Sequence, residues 1–317
     1  MANRNHDPKK THEIPLSGLL FALVIGASML FSIPGVKRAG QPVRALRWMS
    51  WLAVLLPLLL TAVYSLCAPS EIKEYMGTRG NYNQDQFMEI KLAPKQFSLS
   101  QFYKILVEDE AVLRLFCNSA LYTVLVLLGQ AVVIPAMAYA LSRFRFPGRD
   151  ALFFGIIMLM LLPFQVTMVP NVLTLKKLGL MNTIWAVILP NCFTPFYIFL
   201  LRQYMLGLPK EILEAGEIDG AGTFRCFFHI VLPVCKPIIG CAVALSFADC
   251  WNMVEQPLTY LAQNADKMPL SVMFNQFSAS PTGTEFAGAT LYILPALFVY
   301  LYFQKDILDG IQLSELK

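Results

Sequence analysis

The sequence reads Glu-Ala-Gly-Glu-Ile-Asp-Gly-Ala-Gly over residues 214–222 and Ile-Val-Leu-Pro over residues 230–233. This polar stretch lies between two long apolar runs, 183–204 and 237–258. Each run is long enough to cross a bilayer, since a spanning helix needs about 20 mostly apolar residues. A loop with fixed Gly and Pro positions between two spans is a place where a membrane protein can meet a partner in the cytoplasm.

The composition of the whole chain favours a multi-span helical membrane protein. Of the 317 residues, 56% are apolar and only 15% are charged, whereas soluble domains are about 45–50% apolar and about 25% charged. The net charge of +4 is small for this length, and the basic residues form no dense stripe. We therefore expect a lipid bilayer around the chain and no nucleic-acid partner.

The sequence shows no recognisable catalytic or cofactor-binding pattern. The seven cysteines are scattered without a CxxC pair, and the three histidines are far apart. No HExxH, GxSxG or GxxxxGK[ST] motif occurs. The cysteines are interpreted as small buried apolar side chains. We expect no catalytic centre, no metal site and no cofactor bound by this chain.

Seven apolar runs are candidates for membrane helices: 16–33, 48–67, 113–141, 151–172, 183–204, 237–258 and 286–303. Pro295 interrupts the last run, where it is expected to kink the helix and not to end it. Basic residues cluster at 37–47, at 143–149 and around the polar loop. Such clusters favour the cytoplasmic side, so the tail 304–317 is predicted to lie in the cytoplasm.

The first apolar run, 16–33, allows three interpretations. It is long enough to be an uncleaved span, but Lys9 and Lys10 before it would then lie on the outer side, against the charge rule. It could instead be a helix lying in the interface, or a cleaved signal peptide. No small-residue cleavage site follows it, which favours the uncleaved span.

The loop resembles the EAA loop of ABC-importer permeases, which has Glu-Ala-Ala, a Gly four residues later and then Ile-x-Leu-Pro. Six residues fall at the expected spacing, and Gly216 stands where the family usually has Ala; the six are Glu214, Ala215, Gly220, Ile230, Leu232 and Pro233. The likeness runs from about residue 48 to the C-terminus. It includes Asn118-Ser119, the span exit Tyr139–Gly148 and Trp251-Asn252.

The chain is most similar to the smaller, MalG-like permease subunit of carbohydrate ABC importers. This resemblance implies an all-α polytopic bundle with a six-span core over residues 48–317. Residues 1–47, with the helix 16–33, would be an addition to that core. It further implies a multi-pass location in the prokaryotic plasma (inner) membrane and import of a mono- or oligosaccharide.

The resemblance also implies a set of partners and a coupling role for the loop 208–235. The partners are a second permease subunit, separate ABC ATPase subunits that hold ATP and Mg, and an extracytoplasmic solute-binding protein. This chain would be a transport subunit and not an enzyme. The implied coupling residues are Glu214, Ala215, Gly216, Asp219, Gly220, Ile230, Leu232 and Pro233.

The residues of the loop fit such docking physically. Lys210 to Glu217 is predicted as a short helix with acidic residues in its first turns, where they suit the helix dipole. Gly220 can adopt a positive φ and turn the chain sharply. Ala215 and Gly216 are small enough for the close approach of a partner. Phe224, Phe227 and Phe228 offer apolar surface, and Pro233 is expected to end the segment. The alternative is an ordinary amphipathic hairpin in the membrane interface.

Polar residues also occur inside the run 237–258. Asp249 and Asn252 are three residues apart and share a helix face, and Glu255 follows on the next turn. Ionisable residues in spans are costly and suggest a transport pathway, so these three residues could line a translocation path. Helix–helix hydrogen bonding is the competing interpretation.

Two other classes of function stay open. A secondary transporter would use polar residues at the bilayer midplane without an ATPase partner, and would show inverted repeats and broken charged helices. An intramembrane enzyme would need reactive side chains at suitable spacing. Co-purification with an ATPase subunit would support the importer and neither alternative.

The span count and orientation predict an outer N-terminus. A single cysteine introduced at Asn5 in a cysteine-free background should react with an impermeant thiol reagent in intact cells whose outer barrier admits the reagent. A cysteine at Gln41 should be protected until the membrane is opened. The reverse labelling at position 5 would mean that 16–33 does not cross the membrane.

Overall fold

The computed structural model describes residues 55–76, 93–276 and 283–315. Over these ranges the chain is helical, and the β pairing consists of an isolated bridge between Cys67 and Phe97. The predicted all-α class is therefore confirmed. The N-terminal segment 1–47, with the apolar run 16–33, lies outside the described residues.

The described helices follow one another along the chain with short connections. They are α1 (Leu55–Ser65), α2 (Pro69–Met76), α3 (Ser100–Tyr103), α4 (Glu110–Arg143), α5 (Arg149–Leu161), α6 (Phe164–Lys177), α7 (Trp185–Cys192), α8 (Pro195–Leu206), α9 (Lys210–Ile218), α10 (Thr223–Cys226), α11 (Leu232–Val234), α12 (Lys236–Trp251), α13 (Glu255–Tyr260), α14 (Leu270–Gln276) and α15 (Thr284–Glu315). Two π turns, Lys104–Glu108 and Phe227–Val231, and a 3₁₀ turn, Ala265–Lys267, complete the path.

Three stretches of this helical path are long and apolar enough to cross a membrane: Glu110–Arg143, Trp185–Leu206 and Thr284–Leu308. Two bent helix pairs raise the number to five if each pair counts as one span. The shorter apolar helix α1 belongs to the predicted run 48–67. The predicted count of six core spans is compatible with these helices but stays a prediction.

The run 151–172 is not the single straight helix that its hydropathy suggests. The axes of α5 and α6 differ by 111°. The break falls at Leu162 and Pro163, which have extended backbones with ψ of 127° and 150°. Proline disfavours the helical conformation of the residue before it and has no N–H to continue the ladder. The sequence Leu-Pro at 162–163 is thus enough to turn the chain.

Proline also shapes the entry to the run 237–258. The segment Thr223–Val234 and α12 meet at a bend of 73°. Pro233 lies inside the last turn of that segment, and the helix ends two residues later, at Cys235. Pro237 follows at the start of α12, and its missing N–H leaves the carbonyl of Pro233 without a helical partner. By contrast, α15 continues through Pro295, as expected.

The long helix α4 is the centre of the bundle. It packs against α7, α8 and α12, and α12 packs in turn against α15. One apolar cluster joins the C-terminal half of α4 to α5, α8 and the segment 213–242, through Leu141, Ile156, Leu201 and Ile238 among others. A second cluster joins the N-terminal half of α4 to α7 and the segment 250–261.

The buried side-chain amide of Gln130 supplies a hydrogen bond at the break between α7 and α8. The carbonyl of Asn191 has no helical partner four residues later, because that residue is Pro195. The Nε2 atom of Gln130, on α4, donates to this carbonyl at 2.8 Å and to Oγ1 of Thr194 at 3.1 Å. The hydroxyl of Ser246, on α12, donates to Oε1 of Gln130. One side chain therefore ties three helices together.

The N-terminal end of α4 is held by the loop that contains residues 261–269. Nδ2 of Asn118 donates to the carbonyls of Asp266 and Met268 at 2.8 and 3.1 Å. The hydroxyl of Tyr122 donates to the carbonyl of Lys267 at 2.7 Å. Asn182, with φ of +60°, donates from its backbone N–H to the carbonyl of Tyr260. This end of the bundle is closed by hydrogen bonds to backbone carbonyls.

Replacing Gln130 by Met should destabilise the protein by about 1–2 kcal/mol, because the carbonyl of Asn191 keeps only the hydroxyl of Thr194 as a donor and the hydroxyl of Ser246 loses Oε1 of Gln130 as its acceptor. Gln304→Met is the matched control, since Gln304 is exposed and bonds only within its own helix, to the carbonyl of Leu301. Thermal denaturation in detergent compares the two variants. Equal midpoints would contradict the structural role of Gln130.

Candidate functional site

The loop 208–235 contains the short helix that the sequence predicts. Helix α9 covers Lys210–Ile218, one residue longer than the predicted Lys210–Glu217. It begins after Pro209, whose extended backbone separates it from α8, and Glu211 lies in its first turn. A carboxylate there is favourable beside the unpaired N–H groups of the helix start.

Gly220 turns the chain at the end of this helix. Its φ is +77°, in the left-handed region that glycine enters at little cost. The N–H groups of Gly220 and Ala221 donate to the carbonyls of Glu217 and Gly216 at 3.0 and 2.9 Å. These bonds satisfy carbonyls at the helix C-terminus. The predicted positive φ at this glycine is confirmed.

Gly216 faces the protein and not a partner. It is buried, and a Cβ atom added there would lie 2.5 Å from Cδ1 of Ile230 and 3.5 Å from Sγ of Cys226. The expected role of Gly216 in a partner's close approach was therefore wrong. Glycine at this position lets the two arms of the hairpin, α9 and the segment 223–234, pack against each other. Ala215, one residue earlier, is exposed as expected.

Apolar packing, a ring contact and an ion pair join the loop to the body of the bundle. Leu213 is buried in the main apolar cluster, with 3% of its surface exposed. The ring of Phe227 lies 4.9 Å from the ring of Tyr139 on α4. Nη2 of Arg143, in the last turn of α4, lies 3.6 Å from Oε1 of Glu217. Phe227 therefore packs inward and does not offer the outer surface that the sequence suggested.

The opposite side of the loop carries large exposed apolar side chains. Ile218 is 86% exposed and Phe224 is 81% exposed. Phe228 is also exposed, and Glu214 and Asp219 lie exposed on the same loop. Exposed apolar groups of this size among charged residues are typical of a protein or membrane interaction surface. We call Glu214, Ile218, Asp219, Phe224 and Phe228 the loop face. Of the remaining predicted residues, Leu232 is half-buried and Pro233 is exposed.

The three predicted path residues do not form one cluster. Oδ2 of Asp249 accepts a hydrogen bond of 2.6 Å from the hydroxyl of Tyr197 on α8. Asn252 follows the last residue of α12, and its Oδ1 accepts from the hydroxyl of Tyr292 at 2.9 Å. Glu255 begins α13 and accepts from Nε2 of Gln165 at 3.2 Å. Each takes part in a helix–helix hydrogen bond, and all three are also exposed on this chain.

Sequence reasoning missed the hydroxyl partner of Asp249 and the ion pair that holds the loop. Tyr197 lies in an apolar run and resembles an ordinary packing residue, so only the fold reveals its contact. Arg143 counted as a topology signal, whereas the structure also gives it a partner in the loop. Over the ranges that the structure covers, no group of three or more His, Cys, Asp or Glu residues could hold a metal ion.

Comparison with known proteins places this chain in a family. Residues 131–308 match the family described as binding-protein-dependent transport system inner membrane component. That range contains the loop, Asp249 and Glu255. In solved structures, the fold is similar to a chain of a bacterial ABC transporter involved in the import of the acidic polysaccharide alginate. The TM-score is 0.69 at 21% identity, over 94% of this chain and 99% of that one.

Curated relatives agree with the family. The arabinooligosaccharides transport system permease protein AraQ of Halalkalibacterium halodurans is 30% identical over 228 residues, covering 71% of this chain and 81% of the relative. The probable ABC transporter permease protein YurM of Bacillus subtilis is 33% identical, over 66% of this chain and 71% of the relative. The sn-glycerol-3-phosphate transport system permease protein UgpE of Yersinia enterocolitica is 30% identical, over 62% and 72%. The chain therefore belongs to the family of binding-protein-dependent transport system inner membrane components, the permease subunits of ABC importers.

Proposed function

We propose that this chain is the permease subunit of an ATP-driven sugar importer and that its loop 208–235 couples it to a separate ATPase. The observation that carries the proposal is the loop face. Two of its apolar side chains are more than 80% exposed, although they lie on a hairpin whose other side is buried in the bundle. A partner protein that covers this face would remove the apolar surface from water.

The construction of the loop supports a coupling role. A hairpin that transmits a push must move as one body and must be attached to the spans. The contact between Gly216 and Ile230 joins its two arms. The contacts of Leu213, Phe227 and Glu217 attach it to the main apolar cluster and to the end of α4. A displacement of the loop face is thereby passed to the central helix of the bundle.

Family membership supports the partner set. Permease subunits of this family do not carry the ATPase site themselves. The proposed assembly contains a second permease subunit, ABC ATPase subunits that hold ATP and Mg, and an extracytoplasmic solute-binding protein. Closure of the ATPases would shift the permeases from inward-facing to outward-facing, because the ATP-bound partners bind one state better than the other.

The relative AraQ supports a carbohydrate as the solute, since it is named for arabinooligosaccharides. A mono- or oligosaccharide is therefore the proposed substrate class. The basic clusters of the sequence support the proposed orientation, with the loop and the tail 304–317 in the cytoplasm of a prokaryotic cell. Secondary transport without an ATPase leaves the exposed loop face without a role.

Charge reversal and backbone strain in the loop test this proposal. Glu214→Lys and Gly220→Val should each leave the protein in the membrane yet abolish uptake and the stimulation of ATP hydrolysis by the loaded solute-binding protein. Valine is disfavoured at the φ of +77°, so the hairpin must change its shape. Both activities are measured on the co-purified complex in proteoliposomes.

Gly179→Val is the matched control for the backbone effect. Gly179 has a φ of +67° and, like Gly220, open space where a side chain would stand, but it lies in the connection after α6. This variant should bear similar backbone strain and keep its ATPase stimulation. Normal uptake by both loop variants would refute the coupling assignment.

The contact between the two arms of the hairpin gives a second test. Gly216→Val places a branched side chain where Ile230 now lies, so uptake should fall strongly. Shortening the opposing residue should make room, and the double variant with Ile230→Ala should recover a large part of the uptake. Such recovery measures coupling between neighbours in a double-mutant cycle. Additive losses would show that the arms do not act as one unit.

A further inference from the structure

In the proposed orientation Lys236 lies at the cytoplasmic surface, and Asp249 lies inside the hydrocarbon layer. It is 13 residues past Lys236, which corresponds to about 20 Å along the helix. Its partner Tyr197 lies nine residues before the end of α8, or about 14 Å. The hydrocarbon layer is about 30 Å thick. Both estimates place the pair of Tyr197 and Asp249 well inside this layer.

The carboxylate of Asp249 is exposed on this chain, while its partner is not. Tyr197 is 2% exposed, so its ring is fixed by packing and its hydroxyl points at Oδ2 of Asp249. No hydrogen bond to Oδ1 is present, and no salt bridge to Asp249 occurs in the described part of the chain. An exposed carboxylate is too costly against lipid at this depth. This face must therefore meet water or protein.

The charged residues of α7, α8, α12 and α13 have one sign at the depth of Asp249. In α7, α8, α12 and α13 the acidic residues are Asp249 and Glu255, whereas the basic residues Arg202 and Lys236 lie toward the other ends of their helices. Arg202 is also occupied elsewhere. Its Nε donates to the carbonyl of Leu141, and its guanidinium lies 3.6 Å from the ring centre of Phe153. A passing anion would meet no compensating cation on these helices.

We propose that Asp249 determines the specificity of this importer, accepting hydrogen bonds from the hydroxyl groups of a neutral sugar and disfavouring anionic sugars. Tyr197 is a positioning residue: its hydroxyl holds one carboxylate oxygen and leaves the other for the solute. This inference rests on the proposed import function and narrows its substrate class to uncharged, polyhydroxylated solutes. Uronates and sugar phosphates would be repelled, because like charges interact strongly in a medium of low dielectric constant.

The test uses the complete complex, co-purified with its partner permease, ATPases and solute-binding protein and reconstituted in proteoliposomes. The probes are arabinose-, xylose- and galactose-based trisaccharides and, as the anionic counterpart, trigalacturonate. The measured quantity is the amount of sugar imported per ATP hydrolysed. This ratio reports on the path, whereas apparent affinity in such a system also reports on the binding protein.

The wild-type complex should import a neutral trisaccharide and not trigalacturonate. Asp249→Asn should lower the sugar imported per ATP about tenfold, since hydrogen bonds to charged groups are the stronger ones. ATP hydrolysis should stay within about twofold, because the loop is untouched. Tyr197→Phe should lower the ratio in the same direction. Tyr300→Phe, on α15 and outside the loop 208–235, removes the hydroxyl of an exposed side chain and should change nothing.

Three results would overturn this proposal. Preference of the wild-type complex for trigalacturonate would reverse the charge argument. An unchanged ratio in Asp249→Asn would remove Asp249 from the path. Loss of co-purification in Asp249→Asn would make the carboxylate a contact between subunits. Each result differs from failure of the coupling proposal, which would appear as retained ATPase stimulation in Glu214→Lys.

Discussion

The carbonyl of Asn191 is one point at which the backbone of this bundle depends on a hydrogen bond from another helix. Inside a bilayer, water is not there to pair a carbonyl that a proline has left without its helical partner. The amide of Gln130 fills this place and is held in turn by Ser246. Because these residues belong to α4, α7 and α12, the repair of one carbonyl also fixes the relative position of three helices. Asp249 lies three residues past Ser246 on α12, and its partner Tyr197 lies on α8, two residues past Pro195.

Prolines shape the bundle at several such points, and the backbone responds to each proline in a different way. At Pro163 and Pro237 the chain bends by 111° and 73°. At Pro195 a side chain from another helix restores the missing bond, and at Pro295 the helix simply continues. The outcome therefore depends on which groups lie beside the freed carbonyl and not on the proline alone. The loop 208–235 lies between two of these sites, joined to the end of α4.

Local chemistry made part of this structure predictable. The bounds of α9 follow from Pro209 and the Gly220 turn, and the positive φ of Gly220 follows from the lack of a side chain. The helical class and the family follow from hydropathy and from the spacing of residues 214–233. Contacts between distant segments were not predictable in this way. The inward packing of Phe227 depends on Tyr139, the burial of Gly216 depends on Ile230, and the bend at Leu162 divides an apolar run that hydropathy treats as continuous.

The contact between Gly216 and Ile230 restricts how such loops can be exchanged among importers. Residue 216 lies before the turn at Gly220 and residue 230 lies after it, so each arm of the hairpin supplies one of the two residues in contact. A graft that stops at the turn would set the alanine of a typical donor against the isoleucine of this chain. Chimeric permeases built to accept a foreign ATPase therefore keep this contact unchanged when the whole hairpin is exchanged, whereas a graft that stops at the turn makes the end of the Ile230 side chain move. The unit of modular exchange is the hairpin and not the short sequence motif.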